Sequence, residues 1–470
     1  MSLADLAAAD LSALFAGRQA SPVEATKAAL DRIGRYDGQV NAFRLVDAER
    51  ALVDAAASEA RWAAGAPLSP IDGVPTSVKD MLLTRGWPTL RGSRLVAPDQ
   101  PWESDAPAVA RLRAAGAVLL GKTNTSEFGW KGVTDSLVHG VTRNPWNLAM
   151  TPGGSSGGAA AALACGMGAL ALGTDGGGSL RNPAGFTSNV GFKPTQGRVA
   201  AYPPNPIGTL AHVGPMARRV ADIALMMDAV AGPDPQDWHS LPADGTRYVD
   251  AARRSVRGKR VALSPRLGFA TVDPEVEAAV VCAARVFESL GAIVEAVDPP
   301  IGDTTPIFDI HWRAGVANAL GMLPDEKLAL LDPGLAGFVR EGLGIPLLGY
   351  LGAQNGRVTA GRAMRQFHAT HDLLLLPTTA VAAFPHGRRA PEGVGEDDFR
   401  AWTPFSYPFN LTMQPAISVP GGFTRDGLPI GVQIVGDLFR DADVLAAALA
   451  FEDAWPQHSR RPALDNITGP

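Results

Sequence analysis

The sequence has only two cysteines in 470 residues, Cys165 and Cys282, so no disulfide framework can hold it together. Both fall in apolar, helix-like runs, where each is expected to serve as a small buried hydrophobe. Aromatic residues are scarce, at 7%, and charged residues make up 19%. No block of lysine or arginine stands out and the formal net charge is −5, which gives nucleic acid or an anionic membrane no footprint. No apolar run is long enough to cross a bilayer, and the opening MSLADLAAADLSALFAG lacks a basic n-region; the expected setting is the cytoplasm. Cysteine and histidine clusters with ligand spacing are missing as well, so neither a metal nor a cofactor is implied.

Apolar residues, by contrast, make up 46% of the chain, enough for a sizeable core and too many for a disordered or fibrous protein. Ser21-Pro22-Val23-Glu24 reads as a capping box with proline at the first helical position, predicting a helix from Pro22 to about Arg35. An alanine-rich helix over Ala48–Ala64 follows. Strand-like runs then alternate with helical ones: Gly73–Lys79, Ala117–Gly121, Ala169–Thr174, Arg260–Ser264, Ile293–Val297, Leu373–Thr378, Ala416–Pro420 and Ile430–Gly436. Helices are expected over Ala106–Ala115, Ala159–Gly166, Glu275–Leu290 and Asp441–Ala454. This alternation predicts an α/β fold, a central mixed, mostly parallel β-sheet covered by helices on both faces. No linker divides the chain, so residues 1–470 are read as one domain. Residues 1–65 supply helices packing on the core, and 300–365 are a candidate peripheral helical subregion bordering the substrate pocket.

Two glycine–serine clusters, TPGGSSGG (Thr151–Gly158) and GTDGGGSLR (Gly173–Arg181), bracket the apolar AAAALACGMGALAL. A linker would not be buried on both sides. Glycine turns at a strand end and a helix start inside a core make sense where consecutive N–H groups converge on an anion or oxyanion. A phosphate loop would need a lysine and then serine or threonine after its second glycine, and Ala159-Ala160 stand after GGSSGG instead. Acyl transfer through a serine is the other reading. The sequence holds no G-x-S-x-G elbow, and its eight histidines, His139, His212, His239, His311, His368, His371, His386 and His458, are scattered. A buried lysine is the alternative base.

Together with IDGVPTSVKD (Ile71–Asp80), GKTNTSEFGW (Gly121–Trp130), TRNPWN (Thr142–Asn147) and GLPIGVQIVG (Gly427–Gly436), the two clusters resemble the amidase signature family, from about Ser21 to Asp453. The resemblance implies an amidohydrolase acting on carboxylic amides, or on esters, anilides or carbamates, through a serine acyl-enzyme. It assigns Ser179 as nucleophile, Ser155 as a proton bridge following a cis peptide bond, and a neutral Lys79 as base. The N–H groups of Gly176, Gly177, Gly178 and Ser179 would form the oxyanion hole. Ser156, Asp175 and Arg181 are supporting residues, with a substrate-carboxylate role for Arg181 as the minority reading. Phe128, Trp130 and Asp135, in the loop Thr125–Leu137, are candidate pocket residues, and Ala401–Asn410 a further contributor.

The family usually has a bulkier residue at Gly176, so that glycine is expected to loosen the loop or widen the pocket. A small-molecule amide is the expected partner, and a homodimer stays open. Two rival readings are the A subunit of a tRNA-dependent amidotransferase and a non-catalytic member. The former usually carries glutamine after its GGSIR run, where this chain has Asn182-Pro183.

Overall fold

After a 3-10 turn, Leu3–Asp5, and a helix, Ala8–Ala16, comes a helix fixed at its first turn. Ser21 Oγ accepts from the Glu24 amide at 3.2 Å, while Glu24 Oε2 accepts from the Ser21 amide at 2.8 Å. With Pro22 at the first helical position, this helix runs Pro22–Val40 and stops where Asn41 turns left-handed at φ 55°. The next helix, Ala48–Ala63, is capped by Asp47. Ala29, Ile33, Tyr36 and Val40 of the first and Ala51 and Ala55 of the second bury together against Val118, Leu120 and Cys165. The computed structural model describes residues 2–395 and 398–464; of the expected unit 1–470, residues 1, 396–397 and 465–470 lie outside the described residues.

The strands are β1 (Phe43–Val46), β2 (Pro75–Lys79), β3 (Val118–Thr123), the small hairpin β4 (Asp135–Ser136) and β5 (Gly140–Val141), β6 (Leu170–Asp175), β7 (Val190–Lys193), β8 (His212–Ala217), β9 (Arg260–Leu263), β10 (Ile293–Ala296), β11 (Leu373–Pro377), β12 (Ala416–Phe423) and β13 (Pro429–Gly436). Apart from the hairpin, they form one 11-stranded mixed sheet in the order β1-β3-β2-β6-β8-β7-β12-β13-β11-β9-β10. The α/β architecture is as expected, but the sheet is not mostly parallel. Parallel pairing is confined to β3-β2-β6 and β11-β9-β10. The middle, β6-β8-β7-β12-β13-β11, is antiparallel throughout, as is β1 against β3. The difference comes from strands that apolar runs do not reveal. β8 reads HVGPMA, with a glycine and a proline inside a central strand, and β1 and β7 are only four residues long.

The helix Gly157–Ala164 is buried along its whole length, and its alanines let it lie close on the sheet beside Ala171, Leu180 and Met216. A Cβ on Gly158 would sit 2.6 Å from backbone atoms of Asn124 and Ala42, so only glycine fits that crossing. Residues 305–367 form helices Thr305–Leu320, Asp325–Leu328, Pro333–Leu343 and Leu347–Phe367. Cys165 is buried, but Cys282 is exposed, because helix Pro274–Ser289 turns Val280, Ala283 and Phe287 inward and leaves Cys282 on the outer face. Among the described residues no helix is long and apolar enough to cross a membrane.

Candidate active site

β2 and β6 are parallel neighbours, with Thr76 opposite Leu170 and Val78 opposite Leu172. Their carboxyl ends therefore open on the same edge, the usual place for chemistry in an α/β sheet. Lys79 ends β2, and Thr174 and Asp175 end β6. Ser155 and Ser156 sit just ahead of helix Gly157–Ala164, and the Gly154–Ser155 peptide is cis. Glycine is required at 154: a Cβ there would lie 2.5 Å from the Val133 carbonyl carbon.

These elements bring together three segments distant in sequence. Lys79 Nζ lies 2.8 Å from Ser155 Oγ, 2.9 Å from Ser156 Oγ and 2.9 Å from Thr174 Oγ1. Ser155 Oγ in turn lies 3.1 Å from Ser179 Oγ. Lys79 is wholly buried, and burial pushes its pKa from 10.5 down to about 7, with the Asp175 carboxylate offsetting part of the fall. The neutral amine fits its surroundings: its lone pair can accept from Ser155 while its two N–H groups donate to Ser156 and Thr174. Ser156 passes its own hydrogen to the Thr174 carbonyl at 3.2 Å. Thr174 was not among the residues singled out from sequence; its signal is its position at the end of a buried strand, level with the lysine.

The glycine loop is pinned from below. Asp175 accepts from the Gly178 amide at 2.7 Å, the Leu180 amide at 3.2 Å and the Arg181 guanidinium at 2.9 Å. Burial works against the Asp175 charge, but the Arg181 charge and hydrogen bonds overcome it and hold the carboxyl well below the usual carboxylate range. Arg181 has no donor left for a substrate. Besides Asp175, its guanidinium donates to the Ser406 carbonyl, Gln433 Oε1 and Asn410 Oδ1, which uses all five N–H groups. The expected oxyanion set also changes: the Gly178 N–H is taken by Asp175, so Gly176, Gly177 and Ser179 carry the N–H groups without a protein acceptor among the described bonds.

A cavity of about 280 Å³ opens over Ser155 and Ser179. Its walls are Met81, Leu82, Phe128, Trp130, the segment Ala200–Ile207, and Trp312, Val316, Leu320 and Leu335 from the peripheral helices. Phe128 and Trp130 thus stand where the sequence suggested. Asp135 does not: it lies on β4 and is held by Lys131, away from the cavity wall. Residues 401–410 also miss the wall; Trp402, Phe405, Tyr407 and Phe409 are core, while Ser406 and Asn410 brace the glycine loop. Gly176 does not widen the pocket. A Cβ there would meet Ile207 Cδ1 at 2.7 Å and Trp312 Cζ3 at 2.9 Å, so neighbouring side chains already fill that space. Nor does the wall offer a histidine base: His212 is buried there, its charged form disfavoured by that burial and by Lys193 nearby, and its Nδ1 is 2.8 Å from the Leu210 carbonyl.

A lysine, two serines and a glycine loop thus meet at the carboxyl ends of paired strands, in a fold shared with amide-hydrolysing enzymes. The family model described as Amidase matches residues 24–329 and 347–445. The chain belongs to the amidase signature family. It is 38% identical to an acylamidase of Rhodococcus erythropolis, covering 97% of each chain. It is 37% identical to the A subunit of the glutamyl-tRNA(Gln) amidotransferase of Moorella thermoacetica, covering 99% of each. The solved structure of a bacterial aryl acylamidase of the family superposes with a TM-score of 0.90 at 32% identity, covering 99% of both chains.

Proposed function

We propose that the protein hydrolyses amides with apolar acyl or aryl groups through a Ser179 acyl-enzyme. The observation carrying this reading is the unbroken chain from the buried Lys79 amine through Ser155 to Ser179, at 2.8 and 3.1 Å. Ser179 Oγ attacks the carbonyl carbon and gives its proton to Ser155, which passes its own to Lys79. The carbonyl oxygen becomes an oxyanion facing the N–H groups of Gly176, Gly177 and Ser179, each donor worth about 3–4 kcal/mol in comparable sites. Lys79 returns its proton through Ser155 to the leaving nitrogen as the C–N bond breaks. Water, deprotonated along the same path, then releases the acid and restores Ser179. Asp175 and Arg181 are positioning residues that fix the loop.

Likeness to the amidotransferase chain favours a second reading, glutamine-dependent ammonia supply to a partner. Glutamine carries an α-ammonium as well as a carboxylate. Among the residues lining the cavity the one carboxylate, Asp175, is saturated by Arg181 and backbone N–H groups, so none is left for the ammonium, and apart from Arg91 the remaining wall is largely apolar. That supports the stand-alone amidase. Labelling with an arylsulfonyl fluoride and mapping the modified peptide tests it: the label is expected on Ser179, and amide hydrolysis surviving in Ser179→Ala rejects the mechanism. Glutaminase activity that appears only with a partner protein would favour the second reading.

A further inference from the structure

Two arginines stand near the reacting groups, and they differ in one respect. Arg181 has every donor used inside the protein. Arg91, half-buried on the cavity wall, has no side-chain hydrogen bond or ion pair of its own among the described residues. The carboxylate whose charge acts on it is Asp80, whose Oδ2 is buried without a hydrogen-bond partner among the described residues and whose Oδ1 is already engaged. Asp80 Oδ1 accepts from the Leu90 amide at 3.3 Å, sits 3.4 Å from Arg44 Nε and 4.0 Å from Lys122 Nζ. Burial pulls the Arg91 pKa below its ordinary value, and Asp80 offsets this only in part. A partly desolvated guanidinium with five donors and no anion is costly unless a ligand supplies one.

The backbone around Arg91 is built to hold it there. Arg91 is left-handed at φ 55°, and so is Phe128 at φ 50°, a conformation rare for residues with side chains. The two are joined by the Phe128 amide donating to the Arg91 carbonyl at 2.8 Å, and the Arg91 amide donates to the Asp80 carbonyl at 3.1 Å. The next residue, Gly129, passes so close to the reacting groups that a Cβ on it would lie 3.1 Å from Ser155 Oγ. Strained, doubly tethered backbone thus sets a guanidinium and an aromatic ring on the wall of the cavity that holds Ser179. With Asp175 saturated and His212 neutral, Arg91 is the one unpaired charge among the residues lining that wall.

We propose that Arg91 forms an anion subsite, and that the favoured substrates are amides carrying a carboxylate separated from the scissile bond by an apolar spacer. The bidentate fork of a guanidinium matches a carboxylate, while Phe128, Trp312 and Leu335 accommodate the spacer. The proposal rests on reading the cavity as the substrate site of an amidase.

The test compares matched pairs: glutaric monoanilide against hexananilide for a carboxylate on the acyl side, and para-acetamidobenzoate against para-methylacetanilide for one on the amine side. The readout is the ratio of kcat/KM, acid over neutral, in each protein, so that a general loss of activity cancels. A charge-assisted hydrogen bond to carboxylate predicts a ratio about tenfold to a hundredfold higher in wild type than in Arg91→Met for at least one pair, with Arg91→Lys in between. Calorimetric binding of the same compounds to Ser179→Ala, with and without Arg91→Met, gives the same comparison without turnover. Equal ratios in wild type and Arg91→Met, in both turnover and binding, overturn the anion subsite. Arg91-dependent binding without hydrolysis of any compound leaves the subsite standing and removes the amidase reading instead.

Discussion

The Lys79 amine sets a pH dependence that can be worked through. If Lys79 is the base proposed above, only its neutral form can take the proton from Ser179 through Ser155, and burial lowers its pKa to about 7. Free-enzyme kcat/KM for an anilide should therefore rise about tenfold per pH unit up to pH 6 and level off by about pH 8. Replacing Thr174 sharpens the test. Its hydroxyl lies 2.9 Å from Nζ, and a hydrogen bond from an ammonium is stronger than one from a neutral amine. Thr174→Val therefore disfavours the charged form more than the neutral one, and the rising limb should move to lower pH.

The same shift appears in stability. In the unfolded chain Lys79 keeps its proton up to its ordinary pKa of 10.5, whereas in the folded protein it loses it near 7. The unfolded state thus binds more protons between these values, so this group makes folding more favourable as pH rises through that window, by about 1.4 kcal/mol per pH unit. Lys79→Met removes the titration, so the stability difference between wild type and variant, from urea denaturation at several pH values between about 7.5 and 9.5, should carry that slope. A flat kcat/KM profile from about pH 5.5 to 8.5, or the same limb persisting in Lys79→Ala, would refute the assignment of Lys79 as the base.

Lys79→Ala should cost more in amide than in ester hydrolysis, since an amine leaving group needs the proton that the lysine returns; equal losses on a matched anilide and phenyl ester would contradict that route. Asp175→Asn leaves Arg181 buried without its counter-charge and should destabilise the protein by about 3–5 kcal/mol in urea denaturation, with part regained in Asp175→Asn/Arg181→Met. Gly176→Ala pushes a methyl into Ile207 and Trp312, at an overpacking cost of about 1–3 kcal/mol, and should raise KM for aryl amides. Ile207→Ala in the same chain should restore KM; if the two changes simply add, Gly176 and Ile207 do not share the space inferred for them.

How much of this was legible in the sequence varies with the physics involved. Helix Pro22–Val40 was announced by its capping box, a local signal. β7 and β8 were not, and with them went the direction of the middle of the sheet. A short strand with Gly214 and Pro215 owes its existence to its neighbours, Leu172 and Gly173 on β6, rather than to its own residues. Lys79, Ser155 and Ser179 were legible only as a set, through motifs that fix three segments at once. Asp135 was misplaced because a charged residue in a pocket loop reads the same whether it faces a substrate or Lys131.

The two arginines show the same dependence on tertiary partners. Both follow glycine-rich or turn-forming residues, and by sequence Arg181, two positions after Ser179, is the stronger claimant for a substrate. What decides is the tally of acceptors. Arg181 meets a backbone carbonyl, two side-chain amide oxygens and both oxygens of Asp175, so it is part of the scaffold under the glycine loop. Arg91 makes no ion pair with Asp80, the carboxylate whose charge acts on it, which answers to Lys122 and Arg44, so the Arg91 charge is left on the cavity wall. A guanidinium can bind a ligand only with donors the fold has not used, and that count belongs to tertiary structure alone. The expectation is therefore unequal: Arg181→Met should lower stability and activity on acid and neutral amides together, whereas Arg91→Met should change the ratio between them.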